Sequence, residues 1–552
     1  MKRFNHLPLV GILIVTAYGI LIAGDGLVSL THPDEVFYVQ TAKEMVAHHS
    51  YLVPYLFDQP QFEKPVLIYW LLIFAIKIFG LTDFGARFFM GFFGIIGVVT
   101  TYWLAFMMFK SKRTAFLSAL VLTSSLIYFI LSRSVLTDMV FSIWVVLSLV
   151  SFYWGYREPA RKSRGIVLSF VFAALAVLTK GILGIIFPAL IIGFFLAYRR
   201  DLRFLLSKAM VLGSLVFIAL SFPWHIWVIK QYGVSFIQEY WNNVHVRRIV
   251  EAEHQKSNTW YFYLLTLAAG IFPWSLLLVP STVTCYRHIR NSLAGRHEMV
   301  FLLFWIVIVV GLMQIAQSKL ASYILPVFPA VAIFIGFTLS AMFDTDRKKD
   351  FRWLVISTCL LAVFFLGAIG FGQYYLKAHA QYGMYATVAK SLSIALGVYI
   401  LVLLTAVILR FNYMMIAGHG AVVILLLGVV FFGRHQAEPW VSCKLISHVL
   451  KNVSPAPSTI LCSKFYARGV RYYTDYPVAV IDNNGRGFFS PHPVPLLNSD
   501  KKILKFLNQQ QQLYCIVKKS DMDDIRRLAG DHFQVTTIEV MGGKYFLRVE
   551  KN

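Results

Sequence analysis

The apolar segment LVGILIVTAYGILIA (Leu9–Ala23) is followed almost at once by THPDEVFYVQTAKEMVAHHSYLVPYLFDQPQFEKPVLIYW (Thr31–Trp70), which contains no long apolar run. The second stretch carries Asp34, Glu35, Glu63 and Lys64. Such side chains are costly in hydrocarbon. A chain that turns polar here and returns to apolar blocks from residue 86 onward has left the bilayer through a large first loop.

The remaining sequence supports this reading. Of 552 residues, 58% are hydrophobic and 14% charged, and the mean hydropathy is +0.65. Apolar blocks long enough to cross a hydrocarbon core recur along the chain, which defines a polytopic α-helical membrane protein. The blocks are continuous, not alternating, which argues against a β-barrel. About thirteen transmembrane helices are expected, near 8–24, 86–109, 114–132, 136–156, 165–179, 182–198, 209–229, 261–280, 299–316, 322–342, 353–374, 388–409 and 414–432. The block 66–80 is apolar but short and holds Lys77, so it reads as an interfacial helix. The net charge of +24 does not call for nucleic acid, because basic residues gather in cytoplasmic loops. Every second loop is basic when the N-terminus is inside: Lys110, Lys112 and Arg113; Arg157, Arg161, Lys162 and Arg164; Arg199, Arg200 and Arg203; Arg287, Arg290 and Arg296; Arg347, Lys348 and Lys349. The remaining excess suits anionic lipid or phosphate.

This topology divides the chain into a transmembrane domain, 1–433, with 25–85 as its first external loop, and an external C-terminal domain, 434–552. The tail alternates strand-like runs (TILCS, PVAVID, LYCIVKK) with helical ones (SDKKILKFLNQQQ, SDMDDIRRLAG). It ends in a hairpin pattern, FQVTTIEVMGGKYFLRVE, with Gly542-Gly543 at the turn. A small soluble α/β domain is expected. Cys443, Cys462 and Cys515 fall in this tail, and no motif demands a disulfide among them.

Further polar motifs are expected on the same side as the first loop. Asp138 begins the fourth span, Lys180 lies in the turn LTKGI, the loop 230–260 carries NNVHVRRIVEAEHQK, and QSKLASYILPVFP opens the tenth span. Each has a plainer role available: Asp138 as an interfacial cap, Glu63-Lys64 as a surface ion pair, His245 and His254 as ordinary loop residues, Lys319 as a snorkelling anchor. Their gathering on one face favours a site. Asp34 and Asp138 suit proton abstraction or support of positive charge developing on a sugar ring. Lys64, Arg248 and Lys319 suit a phosphate. Glu63 with His245 or His254 suits a divalent metal with positions open to substrate oxygens. Together they describe group transfer from a phosphate-linked donor at the bilayer surface.

At these residues the chain resembles the polyprenyl-phosphate-sugar-dependent glycosyltransferases of the GT-C class, in the branch of the aminoarabinose–lipid A transferases. The motifs are PDEVFYVQTAKEMV, FEKPVLIYW, VLTD, LTKGILG, HVRR…W and SKLASYILPVFP, in family order across roughly residues 1–435. The resemblance implies an inverting enzyme of the bacterial inner membrane, with its active site and C-terminal domain periplasmic. The sugar, 4-amino-4-deoxy-L-arabinose, passes from undecaprenyl phosphate to lipid A phosphate. By position, Asp34 and Asp138, with Glu35 beside them, become the carboxylates of the reaction centre. Lys64, Arg248 and Tyr323, with Lys319, become the donor-phosphate cradle, and Glu63 becomes a zinc ligand with His245 or His254. One departure stands out: the family often has Arg in DE-x-R-Y where this chain has Phe37. Two other readings remain, a related enzyme acting on a glycan or protein hydroxyl, with Asp34 as base, and a lipid-linked-sugar flippase. The flippase is disfavoured by the scarcity of polar groups at mid-depth in the spans.

Overall fold

The computed structural model describes residues 6–252, 255–292, 295–343, 351–378, 386–455, 458–482 and 494–552. The chain divides into two compact units: residues 1–23, 87–225 and 248–432, and residues 24–86, 226–247 and 433–552.

The first unit is helical. Among the described residues ten helices are long and apolar enough to cross a membrane, or twelve when two bent pairs each count as one span. The pairs are Lys112–Thr123 with Leu126–Ser132, bent by 63°, and Phe262–Gly270 with Ser275–Asn291, bent by 114°. The second break contains Pro273, whose ring and missing N–H interrupt a helix. The remaining expected span is the helix Leu183–Tyr198, 16 residues long and shorter than the others. Residues 230–247, expected as loop, are instead helical. Lys208–Phe236 runs on as a π-helix over Ile237–Val246, and Gly233 (φ +52°) marks the break. The whole stretch of 43 residues is about twice the ~20 residues that one crossing needs. A bilayer core of about 30 Å therefore takes only its first half, the expected 209–229. Hydropathy reads the second half as loop because its letters are polar. The half-buried Tyr232 and the buried Phe236 and Tyr240, four residues apart, nevertheless give it an aromatic stripe: Phe62 packs edge-on against Tyr232 and Phe236, and Phe236 stacks on Tyr240.

The second unit contains the C-terminal α/β sandwich expected from the sequence. Its six-stranded sheet runs in the order Leu496–Leu497, Val478–Ile481, Ile460–Ser463, Gln512–Val517, Lys544–Lys551, Phe533–Met541. The first four strands are parallel and the last two form the antiparallel hairpin. Gly542 and Gly543 turn it with φ of +53° and +76°, the left-handed pair that a two-residue hairpin requires. Alternate strand residues face opposite layers. Leu461, Ala479, Cys515 and Val517 pack on the helices Asp500–Asn508 and Lys519–Ala529. Ile460, Cys462, Val478 and Ile516 pack on Lys444–Val453 and Ala467–Thr474. All five cysteines are free thiols.

The first loop, 24–86, belongs to this same unit. Its apolar helix Leu67–Phe79 has 13 residues, about 20 Å, too short to span. Its other helix, Asp34–Ala47, meets Ala467–Thr474 along an ionic seam. Arg471 bonds Asp58 at 2.5 Å and lies 3.5 Å from Glu44, while Lys43 pairs with Asp475 at 2.6 Å. The Arg471 and Glu44 side chains are 13% and 5% exposed, whereas Asp475 is 61% exposed. Removing one partner of a buried pair strands the other, but an exposed pair contributes little. Arg471→Ala is therefore expected to destabilise this unit by on the order of 3 kcal/mol, and Lys43→Ala by under about 1 kcal/mol. Thermal melting of the purified variants measures both, and equal shifts would remove the seam as a stabilising feature.

Candidate functional site

In the helical unit the expected residues gather around Tyr323. Asp138 lies in the first turn of the helix Thr137–Arg157, and Lys180 ends the helix Lys162–Lys180. Gly181 follows with φ +106°, a backbone that residues with a Cβ rarely adopt, so the chain turns away directly after the lysine. Lys180 Nζ donates to Asp138 Oδ1 at 2.5 Å, with side-chain exposures of 12% and 10%. The same ammonium lies 4.6 Å from the Tyr323 ring centroid, within cation–π range. Tyr323 sits in the 3-10 helix Ala321–Val327, and its hydroxyl accepts from Arg248 Nη1 at 3.0 Å. Backbone bonds hold the two segments together: Ser318 N donates to Arg248 O at 3.0 Å and Gln317 N to Ile249 O at 3.2 Å. Lys319 does not join Tyr323. It is buried and donates to Asn258 Oδ1 at 2.6 Å and Ala316 O at 2.8 Å, fastening the turn that carries Tyr323.

In the second unit, Asp34 is exposed in the first turn of the helix Asp34–Ala47, where a carboxylate is favoured by the helix dipole. Glu35 is buried and braces the segment before the helix: its Oε2 accepts from Thr31 N at 2.8 Å and Thr31 Oγ1 at 2.9 Å. Lys64 is buried. Glu63 is held from the backbone, since its amide donates to Gln61 Oε1 at 2.9 Å, while Gln61 Nε2 donates to the Tyr69 hydroxyl at 2.8 Å. Burial pushes the Tyr69 hydroxyl well above the usual phenol range. Glu239, on the π-helix beyond the span, accepts from Phe62 N at 3.1 Å. Burial pushes its pKa up to about 7; the Phe62 amide opposes this and the charge of Glu63 adds to it. Arg468 Nη2 stands 3.8 Å from Glu63 Oε1, and its guanidinium covers the Phe37 ring at 4.5 Å. The position where the resemblance expects an arginine thus carries a phenyl ring with an arginine from elsewhere in the chain upon it.

The metal expectation involves Glu63, His245 and His254. His254 lies outside the described residues. His245 Nδ1 lies 2.8 Å from the Tyr240 carbonyl, which makes Nδ1 the protonated nitrogen and Nε2 the one with the lone pair. That orientation is usual for a metal-bound imidazole. Among the described residues no three His, Cys, Asp or Glu side chains form a group able to hold a metal ion. Of the three expected ligands, Glu63 and His245 lie among the described residues.

Lys180, Arg468 and Glu239 were not among the residues expected to act. Lys180 is signalled by LTKG, a cation at the end of an apolar helix. Arg468 and Glu239 have no linear signal.

The fold is a membrane-embedded glycosyltransferase architecture. ArnT from Cupriavidus metallidurans bound to undecaprenyl phosphate has a similar structure, with a TM-score of 0.77 and 17% identity over 99% of this chain and 98% of that one. The archaeal oligosaccharyltransferase AglB from Archaeoglobus fulgidus is more distant, with a TM-score of 0.52 and 12% identity over 99% of this chain and 74% of that one. The family described as dolichyl-phosphate-mannose-protein mannosyltransferase matches residues 9–240. The undecaprenyl phosphate-alpha-4-amino-4-deoxy-L-arabinose arabinosyl transferase of Pectobacterium carotovorum is 31% identical over 353 residues, 62% of each chain. An uncharacterized protein of Aquifex aeolicus is 30% identical over 372 residues, 66% of this chain and 70% of its own. The chain is thus similar to lipid-linked-sugar glycosyltransferases, over residues 9–240 by the mannosyltransferase family and over about three fifths of its length by the arabinosyl transferases. It is a multi-span membrane protein, and the match spans 57% of the Enterobacter arabinosyl transferase and 62% of the Pectobacterium one.

The Asp138–Lys180 pair gives a direct check of this geometry. Lys180→Met leaves a carboxylate in a poorly solvated place and is expected to lower stability by on the order of 3 kcal/mol. Asp138→Asn/Lys180→Met, which removes both charges, should recover most of that loss. Melting temperatures of the purified single and double variants decide it. A double variant as unstable as the single would show that the two side chains do not depend on one another.

Proposed function

We propose that this protein transfers 4-amino-4-deoxy-L-arabinose from undecaprenyl phosphate to a lipid A phosphate at the periplasmic side of the bacterial inner membrane. The observation that carries the reading is the Tyr323 cluster: one phenol bonded by Arg248 and faced by Lys180, whose ammonium also pairs with Asp138. Cations held in poorly solvated places suit a phosphate, which gains more from them there than it would in water. Relatives bearing the arabinosyl transferase name support the sugar and its carrier.

The reaction is a displacement at the anomeric carbon. An acceptor oxygen forms a bond to that carbon while the bond to the carrier phosphate breaks, and undecaprenyl phosphate leaves with the electron pair. Arg248 and Lys64 stabilise the negative charge that grows on the leaving phosphate. The Tyr323 hydroxyl, accepting from Arg248, directs its own proton toward a phosphate oxygen. Lys180 holds the Asp138 carboxyl in place. A lipid A phosphate is already ionised and needs little general base, so Asp34, exposed at its helix start, orients the acceptor or the amino group of the sugar. The mannosyltransferase match over residues 9–240 favours a second reading, transfer to a hydroxyl, in which Asp34 takes the proton.

Zinc belongs to the proposal as an ion that Glu63, with His245 or His254, would hold. When bound, it would act as a Lewis acid on a phosphate oxygen.

Purified protein in lipid, supplied with the aminoarabinose donor and lipid A, should add one aminoarabinose mass to lipid A; a product on a glycan or protein hydroxyl instead would establish the second reading. A charge-assisted contact contributes on the order of 1.5–3 kcal/mol, so Lys64→Ala and Arg248→Ala should each raise the donor KM by about ten- to a hundredfold and leave the acceptor KM nearly unchanged. A change confined to the acceptor would reassign both residues to the other phosphate. Elemental analysis tests the metal: stoichiometric zinc in the wild type, lost in Glu63→Ala and in one of His245→Ala and His254→Ala. Active protein without zinc would leave Glu63 to its ionic partner alone.

A further inference from the structure

We propose that Arg468, carried by the C-terminal α/β part of the second unit, is a positioning residue for sugar transfer. It fixes the Glu63 carboxylate and, through it, the Glu63-Lys64 segment that the transferase reading, on which this inference rests, assigns to the donor phosphate.

The geometry makes this more than a surface ion pair. The Arg468 and Glu63 side chains are 13% and 15% exposed, with Nη2 3.8 Å from Oε1. The guanidinium carbon lies 4.5 Å from the Phe37 ring centroid, within cation–π range. The planar guanidinium can meet a ring and a carboxylate at once, which a compact ammonium does less well. The backbone that carries it is also fixed. A Cβ on Gly469 would come within 2.9 Å of Cys443 Sγ and 3.6 Å of His32 Cβ, so the start of the helix Ala467–Thr474 is pressed onto its neighbours. One turn further on, Arg471 engages Asp58 and Glu44. The helix is thus held at both turns, and its first turn aims a cation at Glu63. Glu63 also lies in the field of the half-buried Glu239, and Arg468 meets Glu63 from the C-terminal part. Through this contact the α/β part has a role in the chemistry as well as in solubility.

The test is a guanidinium swap. Arg468→Gln is expected to raise the donor KM at least tenfold with the acceptor KM within twofold. Phe37→Arg/Arg468→Gln, which returns a guanidinium to the same place from the other partner of the stack, should bring the donor KM back to within threefold of wild type. A merely structural arginine would not be replaced from helix Asp34–Ala47. A donor KM within twofold of wild type in Arg468→Gln, or a double variant no better than the single, overturns the proposal. Where Arg468→Gln does not accumulate, Arg468→Lys carries the test: a donor KM raised threefold or more is expected, and an unchanged one overturns it. Binding of undecaprenyl phosphate, read by native mass spectrometry, separates this idea from the transferase reading. If the wild type binds it without transferring sugar and Arg468→Gln weakens binding tenfold, the reaction is wrong and the positioning role stands. If the wild type transfers sugar and the variant binds and turns over normally, the positioning role fails alone.

Discussion

Charged groups are expensive in hydrocarbon, and in this chain that expense organises both chemistry and architecture. Carboxylates and cations are kept out of the middle of the spans and appear where helices end: Asp138 in a first turn, Lys180 in a last turn, Arg248 on a four-residue helix beyond a span. At such places a charge is poorly solvated without being wholly buried, so each is matched. Lys180 takes Asp138 and the face of Tyr323, and Arg248 takes the hydroxyl of the same tyrosine. The conditions that make these partners necessary are the ones that strengthen an interaction with a phosphate.

The second unit solves a different problem with the same materials. Its first loop buries apolar side chains, Val36, Phe37, Val39, Ala42 and Met45 of the helix Asp34–Ala47 among them. It is also fastened through charge to residues about 400 positions later in the chain: Lys43 to Asp475, Glu44 and Asp58 to Arg471, Glu63 to Arg468. Ionic fastening of this kind is directional, which suits a segment whose job is to present particular side chains. It is also specific, because each half-buried charge destabilises any arrangement that leaves it alone.

Phe37 and Arg468 show how a site's composition can hold while its sequence drifts. Relative to the family pattern the guanidinium is missing from DEVFY, yet one rests on the ring that replaced it. A local reading records a loss at residue 37. In space, a guanidinium from a different segment lies over that ring.

Much of the protein could be read from the letters. Spans, the interfacial helix and the alternation in the α/β sandwich follow from hydrophobic period and length, which are properties of contiguous residues. The Gly542-Gly543 hairpin and the strands at 460, 478 and 512 are of this kind. Asp138, Lys180, Arg248 and Tyr323 were legible as separate polar signals within apolar surroundings. Their assembly on one phenol was not, because it depends on distances between helix ends that no local pattern encodes. The helical course of residues 230–247 was missed for a related reason: a polar composition looks like loop until the partner that covers Tyr232, Phe236 and Tyr240 is known. Glu35 could be named from sequence but its bracing of Thr31 could not. Arg468 and Glu239 were invisible, since long-range ion pairing leaves no periodic trace. The sequence by itself determined which segments must leave water and which charges must stay near it. Only the tertiary structure decided which of those charges meet, because the pairing is set by packing between segments hundreds of residues apart.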